Sequence, residues 1–493
     1  MDFDLVVIGA GSAGCALTGA FAAASSRSIC LIEAGPDYGS RSAGRWPREI
    51  LDPRRRPRTH DWAYQAEDGE GTLVPESRAR IVGGCSAHNQ CAIVRPAPED
   101  CLGWGWEASE LEMATREVAR RVPAAPYADE ALAFWQRAFL EAAVAGGVAR
   151  IDDVGDPLGP DGVAPFHANV REGVRFNAAF AFLDPVRGQR NVSVVPETLV
   201  DRLELVGDTA IALHGRRGGD ALEVRGRRFV LCAGTYGSPA ILLRSGIGPR
   251  RHLREHGIAV HCERDGVGLN LHDHPGVTLE YVPTAAARSA LEAELAAGRF
   301  AQSQVLLRAR STRAGGRADI HLAPYQGATA SGDWGFEILV FALAPCSRGR
   351  VSLRGCDPAL PPRIASGLLT DRTGRDLAVL GDGVRLARRL AREAPLARWV
   401  ERAAAPDGLV ETDADIAAFI RAAVTDYAHP VGTCATGPGA DPMAVVGRDG
   451  RVHGLTNVFV ADASVIAQIP RANTNFACFM IGWRAGKLLA GLP

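Results

Sequence analysis

Hydrophobic positions change their period several times along this chain, and each change marks an element. Asp4-Leu-Val-Val-Ile8 is a short unbroken apolar run, the pattern of a strand buried on both faces. Gly9-Ala-Gly11-Ser12-Ala13-Gly14 follows, and from Cys15 to about Ala24 the residues are small and apolar, which predicts a helix. A second run, Ser28-Ile-Cys-Leu-Ile32, predicts another strand and stops at Glu33-Ala34. Strand, glycine loop, helix, strand and acid make one βαβ unit.

The middle is mixed. Residues 130–146 and 379–396 carry apolar residues at helical spacing, among them Leu132, Phe139, Val379 and Val384. Residues 191–232 alternate in short strand-like runs, and 276–352 read as several strands, including 305–308, 338–343 and 350–353. Nucleotide-fold character returns with a strand at Val458-Phe-Val-Ala461, a loop, and a helix from about Thr474 to Leu489. The Arg-, Pro- and Gly-rich segments 40–58 and 310–317 read as surface loops. Antiparallel strands between two glycine-rich ends predict an α/β fold: a Rossmann-like nucleotide-binding domain with an inserted α+β domain on an antiparallel sheet. The division expected is 1–150, 191–275 and 426–493 for the nucleotide-binding domain, and 151–190 and 276–425 for the inserted substrate domain.

Composition narrows the class. The chain has 493 residues, 47% hydrophobic and 23% charged, with net charge -1. Disordered and membrane-spanning compositions fit poorly, no apolar stretch reaches ~18 residues, and no basic excess points to nucleic acid. Eleven cysteines without a CxxC pair read as free thiols, and the acidic start Met1-Asp2-Phe3-Asp4 is unlike a signal peptide, so a cytoplasmic location is expected. Lys487, in the terminal helix, is the single lysine, which argues against Schiff-base catalysis.

The glycine loop carries the first chemistry. Gly9, Gly11 and Gly14 form GxGxxG between a strand and a helix, where a pyrophosphate can sit against unpaired N–H groups and the positive end of the helix. Glu33 lies 19 residues beyond Gly14, the offset of the acid that binds an adenosine ribose. A carboxylate there repels a 2′-phosphate, so FAD or NAD is favoured over NADP.

A series of further motifs resembles the glucose–methanol–choline (GMC) flavoenzyme family. They are Asp61-Trp-Ala-Tyr64, Arg80-Ile-Val-Gly83-Gly84-Cys-Ser-Ala-His88-Asn89, Ala233-Gly-Thr-Tyr-Gly-Ser-Pro239 and Gly266-Val-Gly-Leu-Asn-Leu-His-Asp-His274-Pro275. Ser347-Arg-Gly-Arg-Val351, His429-Pro-Val-Gly-Thr433, Val460-Ala461-Asp462-Ala-Ser464 and Asn473-Thr474-Asn475 complete the series, in the family's order. The stretch 83–91 is most similar to the family's choline-oxidising branch. The resemblance implies FAD, contacted by Gly9, Gly11, Ser12, Ala13, Gly14, Glu33, Ala34, Gly83, Gly84, Asn89, Ala92, Val200, Ala461, Asp462, Asn473 and Thr474. It also implies a covalent bond from His88 to the flavin, or a histidine that packs beside a non-covalent one. His429 is implied as the base for an alcohol whose hydride moves to flavin N5, and Asn473 as the partner of the substrate oxygen. Neutral imidazole suits such proton abstraction near pH 7.

Departures from that branch bear on the substrate. Gln90 stands where the branch has a serine, Ala428 precedes His429, and Tyr427 lies one residue earlier. The segment matched to the branch's cation-binding glutamate, Phe300-Ala-Gln302-Ser-Gln304-Val305, holds no acid, so choline is disfavoured. Gln90, Gln302, Gln304, His321 and Tyr427 are the expected substrate contacts. His272 and His274 could pair on a metal, but the resemblance makes this run a turn, and no metal is expected. The expectation is oxidation of a polar primary alcohol, such as a sugar, amino sugar or secondary metabolite, to its aldehyde, with dioxygen or another electron acceptor. The alternatives are a lyase that uses flavin structurally and a choline-type amino-alcohol oxidase.

Overall fold

The computed structural model describes residues 2–68, 71–328, 334–407, 410 and 412–491. One core is built on a five-stranded parallel sheet in the order Val192–Val195, Ile29–Ile32, Leu5–Ile8, Phe229–Leu231, Val458–Val460. Leu5, Val6, Val7 and Ile8 are all buried, as an unbroken apolar run in a doubly covered strand requires. The helices Ser12–Ala24 and Thr474–Leu489 pack side by side on this sheet. A Cβ at Gly14 would lie 1.9 Å from the Gly9 carbonyl oxygen, so only glycine lets the first helix start this close to its strand. An antiparallel meander, Thr198–Val206, Thr209–Arg217 and Asp220–Gly226, lies beside the sheet.

The second core rests on an antiparallel sheet in the order Val400–Ala405, Pro275–Pro283, Trp334–Ala342, Ile320–Ala328, Val305–Ala309, Gly162–Pro165. Strand alternation gives it two different faces. Phe336, Ile338 and Val340 are fully buried against helices, whereas Glu337, Leu339 and Phe341 on the same strand border a cavity. Helix Phe134–Ala145 belongs to this second core, which corrects the assignment of 1–150 to the nucleotide-binding domain. Its Trp135 stacks on Phe336 with ring centroids 4.3 Å apart, and Phe139 is fully buried in the same cluster. Burying such side chains contributes about 1.5–3 kcal/mol each, so the helix follows its apolar stripe to this sheet.

All eleven cysteines are free. Among the described residues no helix is long and apolar enough to cross a membrane.

Candidate active site

A cavity of about 860 Å³ runs between the two cores, within the range of cofactor and substrate sites. One end is built by the glycine loop. Gly9, Gly11, Ser12 and Ala13 line it, with Glu33, Ala34 and Val200 beside them. A Cβ on Gly11 would meet nothing nearer than the Gly84 Cα at 3.8 Å. The missing side chain therefore leaves open space at the positive end of helix Ser12–Ala24, a cradle suited to a pyrophosphate. Glu33 accepts from the backbone N–H of Ala10 and of Gly35, each at 2.9 Å, one on each carboxylate oxygen. Each oxygen keeps a second lone pair for a ribose hydroxyl. Burial raises the Glu33 carboxyl above the usual carboxylate range.

Gly84, Asn89, Ala92, Asp462, Asn473 and Thr474 line the same cavity further along. Asp462 accepts from Gly234 N–H at 2.8 Å and Ser238 Oγ at 2.6 Å, tying the end of the last strand to helix Gly234–Arg244. Gly14, Gly83, His88 and Ala461, also expected to contact the cofactor, are not among the lining residues. His88 is buried, its Nε2 has no hydrogen-bond partner, and burial lowers its basicity. The Gly11 cradle, the Glu33 carboxylate and two helix N-termini aimed into one space fit a dinucleotide.

The other end holds His429. Its preceding residue, Ala428, has φ +67°, a left-handed conformation that costs a residue with a Cβ roughly 1–2 kcal/mol. Two short bonds hold the turn: Ala428 N–H donates to Asp426 Oδ1 and His429 N–H to Asp273 Oδ2, both at 2.6 Å. The ring of His429 is fixed at both nitrogens. Its Nδ1 lies 3.1 Å from Nδ1 of His274, and its Nε2 lies 3.1 Å from Nδ2 of Asn473.

These partners decide the tautomer. His274 Nε2 lies 3.0 Å from the Pro470 carbonyl oxygen, which can only accept, so that nitrogen carries the proton. Burial holds His274 down at about 3, so it carries one proton and its Nδ1 is a lone pair. His429 Nδ1 must then donate to it, leaving His429 Nε2 as a lone pair that accepts from the Asn473 amide. Burial, then the neighbouring His274, pushes His429 well below the ordinary imidazole range, so it is neutral at pH 7. A neutral base whose lone pair is held only by a displaceable amide at the cavity wall is the arrangement proton abstraction needs.

Asn473 sits at the N-cap of helix Thr474–Leu489, yet its side chain does not cap that helix. Its amide points to His429 instead, and its Oδ1 is buried without a partner. Asp273, His274 and His429 offer atoms within 4.8 Å of one another. Hydrogen bonds already engage each: Asp273 Oδ1 accepts from His274 N–H at 2.7 Å and its Oδ2 from His429 N–H, and the imidazoles pair. The set reads as a positioning cluster.

The substrate contacts expected from sequence divide. Gln90 and Tyr427 line the cavity, and Tyr427 stacks on Phe341 with centroids 3.5 Å apart. Gln302, Gln304 and His321 do not line it, a correction to the sequence reading. Gln302 Oε1 is taken by Arg56 N–H at 2.7 Å and by the Gln90 amide at 3.3 Å. Gln304 accepts from Ala133 N–H at 2.8 Å and donates to the Ala131 carbonyl at 3.0 Å, fastening the start of helix Phe134–Ala145. In this segment the residue between them, Ser303, faces the cavity. His321 is fully buried with neither ring nitrogen partnered, behind Tyr427 at 6.2 Å.

Three acids line the cavity that sequence reasoning did not single out. Glu76, pushed up to about 8 by burial, pairs with the buried Arg78, near which Asp426 also sits. Glu337 stands apart on the strand Trp334–Ala342. The alternation of that strand was readable; that its polar face meets a cavity was not.

Known proteins resemble this chain over nearly its whole length. Models of the GMC oxidoreductase family match residues 3–276 and 345–482. An oxygen-dependent choline dehydrogenase of Brucella melitensis biotype 1 is 30% identical over 542 residues, covering 100% of this chain and 96% of the relative. The choline oxidase of Arthrobacter globiformis is 28% identical over 522 residues, covering 99% and 94%. Among solved structures, a pyridoxine 4-oxidase from Mesorbium loti superposes with a TM-score of 0.87 at 27% identity, covering 99% of each chain.

Proposed function

The chain belongs to the GMC oxidoreductase family, and from that premise we propose that it oxidises a polar primary alcohol, such as a sugar or amino sugar, to the aldehyde. It is an FAD-dependent oxidoreductase of CH–OH donors. The observation that carries the reading is the Asn473–His429 pair at 3.1 Å, both residues lining the cavity.

Gly11, Glu33 and the end of helix Ser12–Ala24 would hold the pyrophosphate and ribose of FAD, with Asp462 and Thr474 further along. When bound, FAD supplies the two-electron acceptor for the hydrogen on the carbinol carbon. His429 Nε2 takes the hydroxyl proton, and its Nδ1–H, engaged by His274, delocalises the resulting positive charge. Asn473 Nδ2, displaced from His429 by the incoming hydroxyl, donates to the substrate oxygen and favours the developing alkoxide. Tyr427 and Phe341, stacked face to face, keep water from that side of the reacting carbon. The positive end of helix Thr474–Leu489, left uncapped by Asn473, favours negative charge at the adjacent wall.

The test is anaerobic mixing of the flavin-loaded enzyme with a panel of sugar, amino sugar and simple primary alcohols. Bleaching of the flavin absorbance by one of them supports oxidation; no bleaching by any primary alcohol overturns it and favours a non-redox lyase. His429→Ala is expected to keep its yellow colour and to lose roughly 10²–10⁴-fold in the rate of reduction. Undiminished reduction by that variant would remove His429 from the role.

A further inference from the structure

The strand Trp334–Ala342 sends Glu337, Leu339 and Phe341 into the cavity in a single row. The neighbouring strand continues that surface, with Tyr325 paired to Glu337 and Ala323 to Leu339 in the register. Phe341 marks the catalytic end of the row, because Tyr427 stacks on it and the Tyr427 ring lies 4.3 Å from that of His429. Glu337 is four residues further along. At ~3.4 Å per residue the row is about 14 Å long.

Among the described residues no arginine forms an ion pair with Glu337: Arg56 lines the same cavity and acts on Tyr325, as Glu337 does, but the one charge that bears on Glu337 itself is Glu280. Its neighbours are Tyr325, Leu339 and, directly across from it on the strand Pro275–Pro283, Glu280. Burial, with Glu280 adding to it, pushes the Glu337 carboxyl up to about 7. A carboxylate placed among aromatic and aliphatic walls, beside a second acid, is unfavourable unless a cation meets it. Every other buried acid near the site has such compensation: Glu76 pairs with Arg78, and Asp273 accepts two backbone N–H groups. Glu337 lines the cavity with no such ion pair among the described residues.

We propose that Glu337 is the counter-ion of a substrate ammonium group held roughly 10 Å from the carbinol carbon, so that the alcohol oxidised is an extended, amine-bearing one. This rests on the oxidation reading above and specifies its substrate. The spacing excludes compact amino alcohols of the ethanolamine type as good substrates, because their nitrogen sits two carbons from the hydroxyl and cannot reach both ends of the row. A two-ring amino sugar, or a linear chain of six to eight carbons, spans it. Tyr325 and Leu339 supply the apolar contact for the intervening body.

The experiment uses the flavin-loaded enzyme with matched probes: ethanolamine, 6-aminohexan-1-ol and 8-aminooctan-1-ol against hexan-1-ol and octan-1-ol. The longer amino alcohols are expected to exceed the plain alcohols in kcat/KM by at least about tenfold, chiefly through KM, with ethanolamine showing no such advantage. Glu337→Gln, of nearly the same shape, is expected to remove most of that ratio while retaining flavin. A second readout needs no turnover: octylamine, which has no hydroxyl, should perturb the flavin absorbance on binding, and Glu337→Gln should weaken that binding about tenfold. Oxidation of all the alcohols without preference for the amines, or octylamine binding unchanged in Glu337→Gln, overturns the cation site and leaves the oxidation reading standing. Glu337-dependent octylamine binding with no flavin reduction by any alcohol supports the cation site and removes the oxidation reading instead.

Discussion

His274 meets His429 edge-on, with ring planes 88° apart and Nδ1 facing Nδ1 at 3.1 Å. One proton lies between these nitrogens, and the Pro470 carbonyl assigns it to His429. His274 is thus a positioning residue: it touches no substrate, yet it decides which nitrogen of the base is free. Replacing it by Leu removes the acceptor and lets His429 turn to the other tautomer. His274→Leu is expected to lower kcat by about tenfold or more with flavin retained, whereas His274→Gln, whose amide oxygen still accepts, should recover most of the loss. The variant's pH profile is the readout that packing alone would not move. Wild-type kcat/KM should stay level from pH 8 down past 6.5, because the base is held neutral below the ordinary imidazole range, and loss of the fixed tautomer should move that acidic limb. Equal losses in both variants with unchanged profiles would reduce His274 to a spacer.

His321 gives a prediction about stability. It is fully buried with both nitrogens unpartnered, and burial holds it at about 3. The folded protein keeps this ring neutral, while the unfolded chain takes up a proton below about 6.5. The unfolded state therefore binds more protons as pH falls from that value, and folding stability drops with it. His321→Phe has no such group, so its melting temperature relative to wild type should rise progressively between pH 6.5 and 4.5. A constant difference across that range would show that the buried ring is not the source.

The third prediction concerns how FAD is held. His88 is buried, lies in the chain between Cys85 and Asn89, which both line the cavity, and its Nε2 has no partner. A neutral imidazole with an unengaged nitrogen can bond to a ring methyl carbon of FAD, the methyl C–H giving up its proton and the flavin ring taking the electron pair until the enzyme's electron acceptor removes it. On acid precipitation the yellow colour is expected in the pellet, and His88→Asn should send it to the supernatant. A colourless pellet from the wild-type protein would mean that the cofactor is held by non-covalent contacts alone.

Legibility from sequence followed the range of the interactions. The βαβ unit could be read because its strand, glycines, helix and acid are consecutive, and Thr474–Leu489 because its periodicity is continuous. His429 and Asn473 could be placed together only through a series of separated motifs, since they are 44 positions apart in the chain. Gln302 and Gln304 were misassigned because the facing of an irregular segment depends on its neighbours: both amides turn to backbone groups, and Ser303 takes the cavity side. His274, read as a turn residue, acquires its role only when Pro470 and His429 arrive from far along the chain. Glu337 gives no local sign, because a lone acid in an alternating strand is usually solvated. Helix Phe134–Ala145 showed its stripe but not which sheet would receive it.

Ser12 Oγ donates to Asn475 Oδ1 at 2.7 Å, joining the first helix of the chain to its last. Both helix starts border the space intended for the dinucleotide, so that space has no complete wall until the final segment has docked. Cofactor capture consequently requires the two helices to be docked together. A chain in which helix Thr474–Leu489 has not yet docked offers half a cleft.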